Sequence, residues 1–198
     1  MSNQTALAET IQVVTFTITE KSTKKGNYAV PIDQVKEIRT VDTITKIPKS
    51  KSYVKGVMNL RGKIIPIIDV NDKIGLSASR EVDITKQRIL VADVNDTLTG
   101  LLVDEVNEVM RLPSKDIEAP PIGAFEHNNY IKGIAKRDDQ LIVLLDVSKF
   151  LQESRSDIAM AMATGPEDSE GVSVSPSRVD EDVLPEIEEL IKQESQKQ

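Results

Sequence analysis

From residue 10 to about 151 the apolar positions fall in short runs separated by turn residues, with almost no helical periodicity. Ile11–Thr19 is the first such run. Lys24-Lys25-Gly26-Asn27 then turns the chain into Tyr28–Ile32, and Asp33-Gln34-Val35 has the length of one helical turn before Lys36–Thr40 extends again. Gly56–Asn59, Lys63–Val70, Gln87–Val94, Thr99–Val103, Val106–Leu112, Ile131–Ala135 and Gln140–Val147 complete a prediction of ten strands. The most apolar stretch, YVKGVMNLRGKIIPIIDV from Tyr53, is interrupted by Asn59-Leu60-Arg61-Gly62. An amide, a cation and a glycine at that point predict a turn between two strands.

The strand pattern repeats. Shifting the chain by 77 lays Tyr53-Val-Lys-Gly-Val on Tyr130-Ile-Lys-Gly-Ile, and Ile64–Val70 on Leu141–Val147, with six identities over the 18 residues from Tyr53. Earlier in each half, Ile32–Ile38 matches Val103–Val109 at a shift of 71, which puts about six extra residues in the second copy near Ala119–Asn129. Units of about five strands are too short for a propeller or solenoid. Five short strands hide their edges by curling, so the duplication predicts two small packed barrels rather than one ten-stranded sandwich.

Beyond the strands the composition changes. Residues 152–180 carry Ser, Gly and Pro without aromatics and predict a flexible linker. Within 181–193, Val183, Leu184, Ile187, Leu190 and Ile191 recur at helical spacing behind Asp180-Glu181-Asp182, which predicts a short amphipathic helix. Residues 152–198 hold 12 of the 32 acidic and 4 of the 25 basic residues, a net −8 that leaves +1 on the first 151. The acidity belongs to the tail, and a near-neutral body is a poor match to a polyanion.

Aromatics are only 3% of the chain and Trp is absent, so the core is built from Val, Ile and Leu. Cys is absent too, which removes disulfides, thiolate metal sites and a Cys nucleophile. No stretch reaches the roughly 20 apolar residues of a membrane span, and the N-terminus lacks the marks of a signal peptide, so a cytoplasmic location is expected.

Signatures of catalysis are missing. The single histidine, His127, lies in a turn-rich loop, and no Gly-rich loop opens a helix. Asp69 and Asp146 end equivalent strands of the two copies, which marks them as caps or turn acceptors rather than a catalytic pair. Lys46, Lys49, Lys51, Lys55, Arg61 and Lys63 form a modest basic cluster with Tyr53 as its one aromatic. A nucleic-acid-binding double β-barrel is the alternative that this cluster raises; its affinity would fall steeply with salt. The residues alone therefore favour a non-catalytic interaction module, with no cofactor or metal expected.

Gly56-Val-Met-Asn-Leu-Arg-Gly-Lys-Ile-Ile-Pro-Ile-Ile-Asp69-Val70 resembles the GV-x-NLRG-x-I-x-P-x-x-D-L signature of the CheW family, the chemotaxis coupling proteins, with Val70 where leucine is usual. Val35-Lys-Glu37-Ile38 resembles that family's V-x-E-I segment, and Gly100-Leu-Leu-Val-Asp104-Glu-Val-Asn-Glu-Val its G-x-x-V-D-x-V-x-x-V segment. With Tyr130–Gly133 and Leu141–Asp146, the resemblance covers about residues 10–151. It implies an all-β fold of two packed five-stranded SH3-like barrels, the first over about 10–86 and the second over about 87–151, with interleaving of the two left open. It implies a non-enzymatic adaptor that couples the cytoplasmic tips of methyl-accepting chemoreceptors to the regulatory domain of the histidine kinase CheA. Nucleic acid and direct membrane insertion are not expected; recruitment to membrane-associated signalling arrays is. By the same resemblance Glu37, Asn59, Leu60, Arg61 and Gly62 serve receptor and kinase coupling; Glu37 follows a helical turn and Arg61 follows a strand, which predicts a charge-assisted pair between them at the barrel's end. Val35, Ile38, Val57, Val103 and Val106 are expected to line a groove between the barrels, although strand alternation leaves open which of them face the core.

Overall fold

The computed structural model describes residues 9–20, 24–76, 82–121, 129–137, 139–152, 154 and 157. The chain divides into two compact units, Met1–Gly165 and Pro166–Gln198, and the second lies wholly outside the described residues. The predicted helix at 181–193 and nearly all of the predicted linker at 152–180 therefore lie outside them, as does His127.

The strands are β1 (Thr10–Thr19), β2 (Lys25–Pro31), β3 (Val35–Thr40), β4 (Val54–Leu60), β5 (Lys63–Asp69), β6 (Arg88–Val94), β7 (Thr97–Val103), β8 (Glu105–Pro113), β9 (Ile117–Glu118), β10 (Ile131–Arg137) and β11 (Gln140–Leu145). A 3-10 turn at Ile32–Gln34 precedes β3, as the sequence predicts, and another at Ser114–Asp116 links β8 to β9. Two helical segments follow the matched strands of the duplication: α1 (Val70–Lys73) after β5, and α2 (residues 147–152) after β11.

Sheet one runs β8-β1-β2-β11-β10-β9 and sheet two runs β3-β6-β7-β5-β4. The two halves exchange their first hairpins: β1-β2 joins the strands of the second half, and β6-β7 joins those of the first. A boundary near residue 86 thus separates the copies in sequence but not in space. The exchange is reciprocal strand by strand. β1 pairs antiparallel with β8 and β6 with β3, while β2 runs parallel to β11 and β7 parallel to β5.

Closure is also equivalent in the two sheets. In sheet one β9 pairs with β10 at Ala135 and Ile134; in sheet two Thr45 alone bridges Val57 of β4, with two backbone bonds of 2.8 Å. The repeated Tyr-x-Lys-Gly motif follows from this geometry. A Cβ on Gly56 would lie 2.1 Å from the Thr45 carbonyl oxygen, and one on Gly133 would lie 2.6 Å from Ile117 Cγ2. Each glycine lets the closing segment approach, and each marks a bulge in its hairpin. Pro66 is tolerated inside sheet two for a related reason. Its partner Val57 directs its own backbone bonds to Thr45, and pairing with β7 begins only at Ile67.

Three apolar cores result. Met58, Leu60, Ile65, Ile67, Ile89, Val91 and Leu102 fill the inside of sheet two. Val13, Ala29, Leu112, Ala135, Ile142 and Leu144 fill sheet one. The third core lies between the barrels and takes Val14, Phe16 and Ile18 from β1, Leu90 and Ala92 from β6, and Leu101 and Val103 from β7. Successive residues of β6 therefore point into different cores, Ile89 and Val91 inward, Leu90 and Ala92 between the barrels. Burial on both faces explains why these strands read as continuous apolar runs.

Candidate functional site

Arg61 and Gly62 form the two-residue loop of the β4–β5 hairpin, with φ of 51° and 86°. Positive φ at both positions fits the turn to the right-handed twist of the strands. Glycine adopts it freely, whereas for arginine the left-handed region costs about 1 kcal/mol. Asn59 supports that conformation, because its side-chain oxygen accepts a 2.7 Å bond from the Gly62 amide. Leu60 points the other way and is buried in the core of sheet two. The tetrapeptide thus anchors with one residue, clamps with a second and displays a third.

The displayed side chain is Arg61, 76% exposed, and its Nη2 donates a 2.8 Å bond to Glu37 Oε2. Glu37 comes from β3, just past a bulge between Val35 and Glu37, and its side chain is mostly covered. The ion pair expected from the positions of these two residues is present at the barrel's rim. Beside it Lys36 pairs with Asp93 at 3.3 Å. Both pairs border a concavity of about 610 Å³ that Leu60, Val91 and Leu98 also line. A rim of paired charges around an apolar floor can orient a protein partner and bury an apolar side chain from it.

Of the five residues expected in a groove, Val103 is 1% exposed and belongs to the core between the barrels. Val35 and Val106 pack against that core from its margin. Val57 is half-buried on β4 beside Thr45 instead, and Ile38 is 44% exposed on β3. The five do not form one surface. A recess of about 190 Å³ is lined instead by Tyr28, Ile74, Leu76, Tyr130, Ile131 and Val143, from β2, β10, β11 and the end of α1. Burial, assisted by the charges of Glu20 and Tyr130, pushes the Tyr28 hydroxyl up to about 12. Tyr130, Ile131 and Val143 fall in the repeated segments of the sequence, but the repeat carries no sign of the recess they line.

Exposed apolar residues follow the duplication. Ile64 and Leu141 are equivalent at the shift of 77, Ile38 and Val109 at the shift of 71, and all four are exposed. Asp69 and Asp146 are caps, as their positions predict. Asp69 Oδ1 accepts from the Asp72 amide at 3.3 Å, and Asp146 Oδ1 from the Lys149 amide at 3.1 Å. Lys55 bridges Asp69 and Asp72; burial pulls its pKa down, but the two carboxylates outweigh that and raise it.

A family model described as "CheW-like domain" matches residues 12–155. The chain is 34% identical over 152 residues to the "Chemotaxis protein CheW" of Helicobacter pylori, covering 77% of this chain and 88% of that one. It is 31% identical over 142 residues to the "Chemotaxis protein CheW" of Thermotoga maritima, covering 72% and 88%. Among solved structures, the scaffolding protein TtCheW from Thermoanaerobacter tengcongensis superposes with a TM-score of 0.64 at 31% identity, covering 73% of this chain and 94% of that one.

Proposed function

The chain belongs to the CheW-like family, and from that premise we propose that it couples the cytoplasmic tips of chemoreceptors to the regulatory domain of the histidine kinase CheA. It is a chemotaxis coupling adaptor of two SH3-like barrels and not an enzyme. Among the described residues no helix is long and apolar enough to cross a membrane. Recruitment to receptor arrays at the membrane is part of the proposal and would come through the receptors.

The observation that carries this reading is the Glu37–Arg61 pair on a turn held by Asn59. The second copy of the duplicated unit keeps the hairpin but has Asp138-Asp139 at its turn, so the scaffold does not need a cation there. An arginine kept in left-handed backbone and left largely in solvent serves recognition better than packing. At this exposure the pair adds only about 0–1 kcal/mol to stability. Its use lies in fixing where the guanidinium and the Asn59–Leu60 strand end are presented.

Co-purification of the full chain with a CheA regulatory domain and a receptor tip fragment tests the proposal. A three-component complex with the wild-type chain, weakened by Arg61→Ala, supports it. Failure of the wild-type chain to bind either component overturns it.

A further inference from the structure

The two copies of the duplicated unit share the Asp-Val start where each strand turns into its helix, and among the three differing positions that follow, one residue of each copy lies on that copy's tyrosine. The shift of 77 carries Tyr53 onto Tyr130, Asp69 onto Asp146 and Lys73 onto Phe150. In both copies the tyrosine carbonyl accepts from the aspartate amide, at 2.8 Å and 2.7 Å. In both, the aspartate caps the helical turn that follows. The residue closing that turn then lies on the tyrosine. Phe150 meets Tyr130 edge-on, with centroids 5.2 Å apart and planes at 88°. Lys73 places its ammonium 4.5 Å from the Tyr53 centroid.

Lys73 does more than its counterpart. Its Nζ also lies 5.4 Å from the centroid of Phe150, so one cation touches an aromatic ring from each copy. Phe150 and Tyr130 are themselves part of the core between the barrels, and Tyr53 packs against it. The same short helix reaches across a second time. The buried Asn71 amide donates to the Thr19 carbonyl on β1, a strand of the other sheet.

We propose that Lys73 is a positioning residue: by holding Tyr53 and Phe150 together it sets the angle between the two barrels, and so the relative placement of the partners that the adaptor joins. A ring face attracts a cation through its quadrupole over a range of approach directions, which lets one ammonium serve two rings that no single aromatic side chain could stack on at once. The consequence for coupling rests on the adaptor role proposed above; the orientation of the barrels does not.

The test uses the full chain, whose lack of cysteine allows two spin labels to be placed at Thr40→Cys and Lys132→Cys, one exposed site on each barrel. The inter-label distance distribution is compared for wild type, Lys73→Met, which keeps length without charge, and Lys73→Arg, which keeps the cation. The distribution is expected to broaden in Lys73→Met and to return to the wild-type width in Lys73→Arg. Affinity for a CheA regulatory domain alone or a receptor tip alone is expected to hold, while the three-component complex weakens about five-fold, the size of one lost cation–π contact. A wild-type distribution in Lys73→Met overturns the positioning role. A broadened distribution with undiminished three-component assembly overturns its link to coupling. A wild-type chain that binds neither partner refutes the adaptor reading, yet leaves the distance measurement to decide the role of Lys73.

Discussion

Replacing Gly56 by alanine perturbs the closure of sheet two at one point. The new Cβ would sit 2.1 Å from the Thr45 carbonyl oxygen and 2.7 Å from its carbon, against backbone that has no rotamer to yield. The backbone at Gly56 has φ of 142°, a conformation that costs an L-residue about 1–3 kcal/mol. Moving Thr45 away would break both bonds to Val57, worth about 0.5–1.5 kcal/mol each. The sum is about 2–6 kcal/mol. Gly133→Ala is the internal control. Its φ is not in the left-handed region, and its nearest neighbour is the Ile117 methyl, which can shift, so about 1–2 kcal/mol is expected. Urea unfolding followed by circular dichroism reads both. With m of about 1–3 kcal/mol/M, Gly56→Ala should lower the midpoint by about 1–3 M and the control by clearly less. Equal losses in the two variants, or a loss below about 0.5 kcal/mol at Gly56, would refute the closure argument.

Other expectations follow from the same geometry. Asn59→Ala should cost about 1 kcal/mol, the scale of a lost side-chain cap, and should raise amide exchange at Gly62, while Asn59→Asp should keep the bond; amide exchange by NMR checks both. Leu90→Ala in the core between the barrels should cost about 2–5 kcal/mol and lower both barrels in one thermal transition, whereas two separated transitions would contradict a shared core. Tyr28, raised by burial to about 12, should ionise well after an ordinary tyrosine. Because its folded pKa lies above the unfolded one, that contribution to stability is complete below about pH 10 and lost as pH rises toward 12. Absorbance titration should show a late step that Tyr28→Phe removes.

Much of this fold was readable because strands buried on both faces leave long β-branched runs, as at Lys63–Asp69 and Arg88–Val94. The duplication was readable because the same bulge, closing glycine and aspartate cap recur in each copy. The exchange of hairpins was not, since side-chain pattern records which residues are buried but not which strand lies beside them. β9 and the Thr45 bridge escaped for a simpler reason: pairings of one or two residues leave no period. α1 and α2 were absorbed into the strands before them, because Val70 and Val147 continue the apolar run while the cap sits on the preceding aspartate. The coupling role of the rim pair was legible only through the family resemblance, as Glu37 in β3 and Arg61 in the β4–β5 turn stand 24 residues apart. Among the groove residues Val103 lies in the core and Ile38 on the surface, a division that strand alternation by itself left open.

The central claim, that the Glu37–Arg61 rim serves coupling rather than folding, is tested most directly by a double-mutant cycle on partner binding and on stability. Glu37→Ala, Arg61→Ala and the double variant would be titrated calorimetrically against a CheA regulatory domain and a receptor tip fragment, and unfolded in urea alongside. The account predicts a stability coupling below about 1 kcal/mol together with a clear loss of affinity for at least one partner in each single variant. Full affinity in all three variants, with a stability coupling of several kcal/mol, would contradict it.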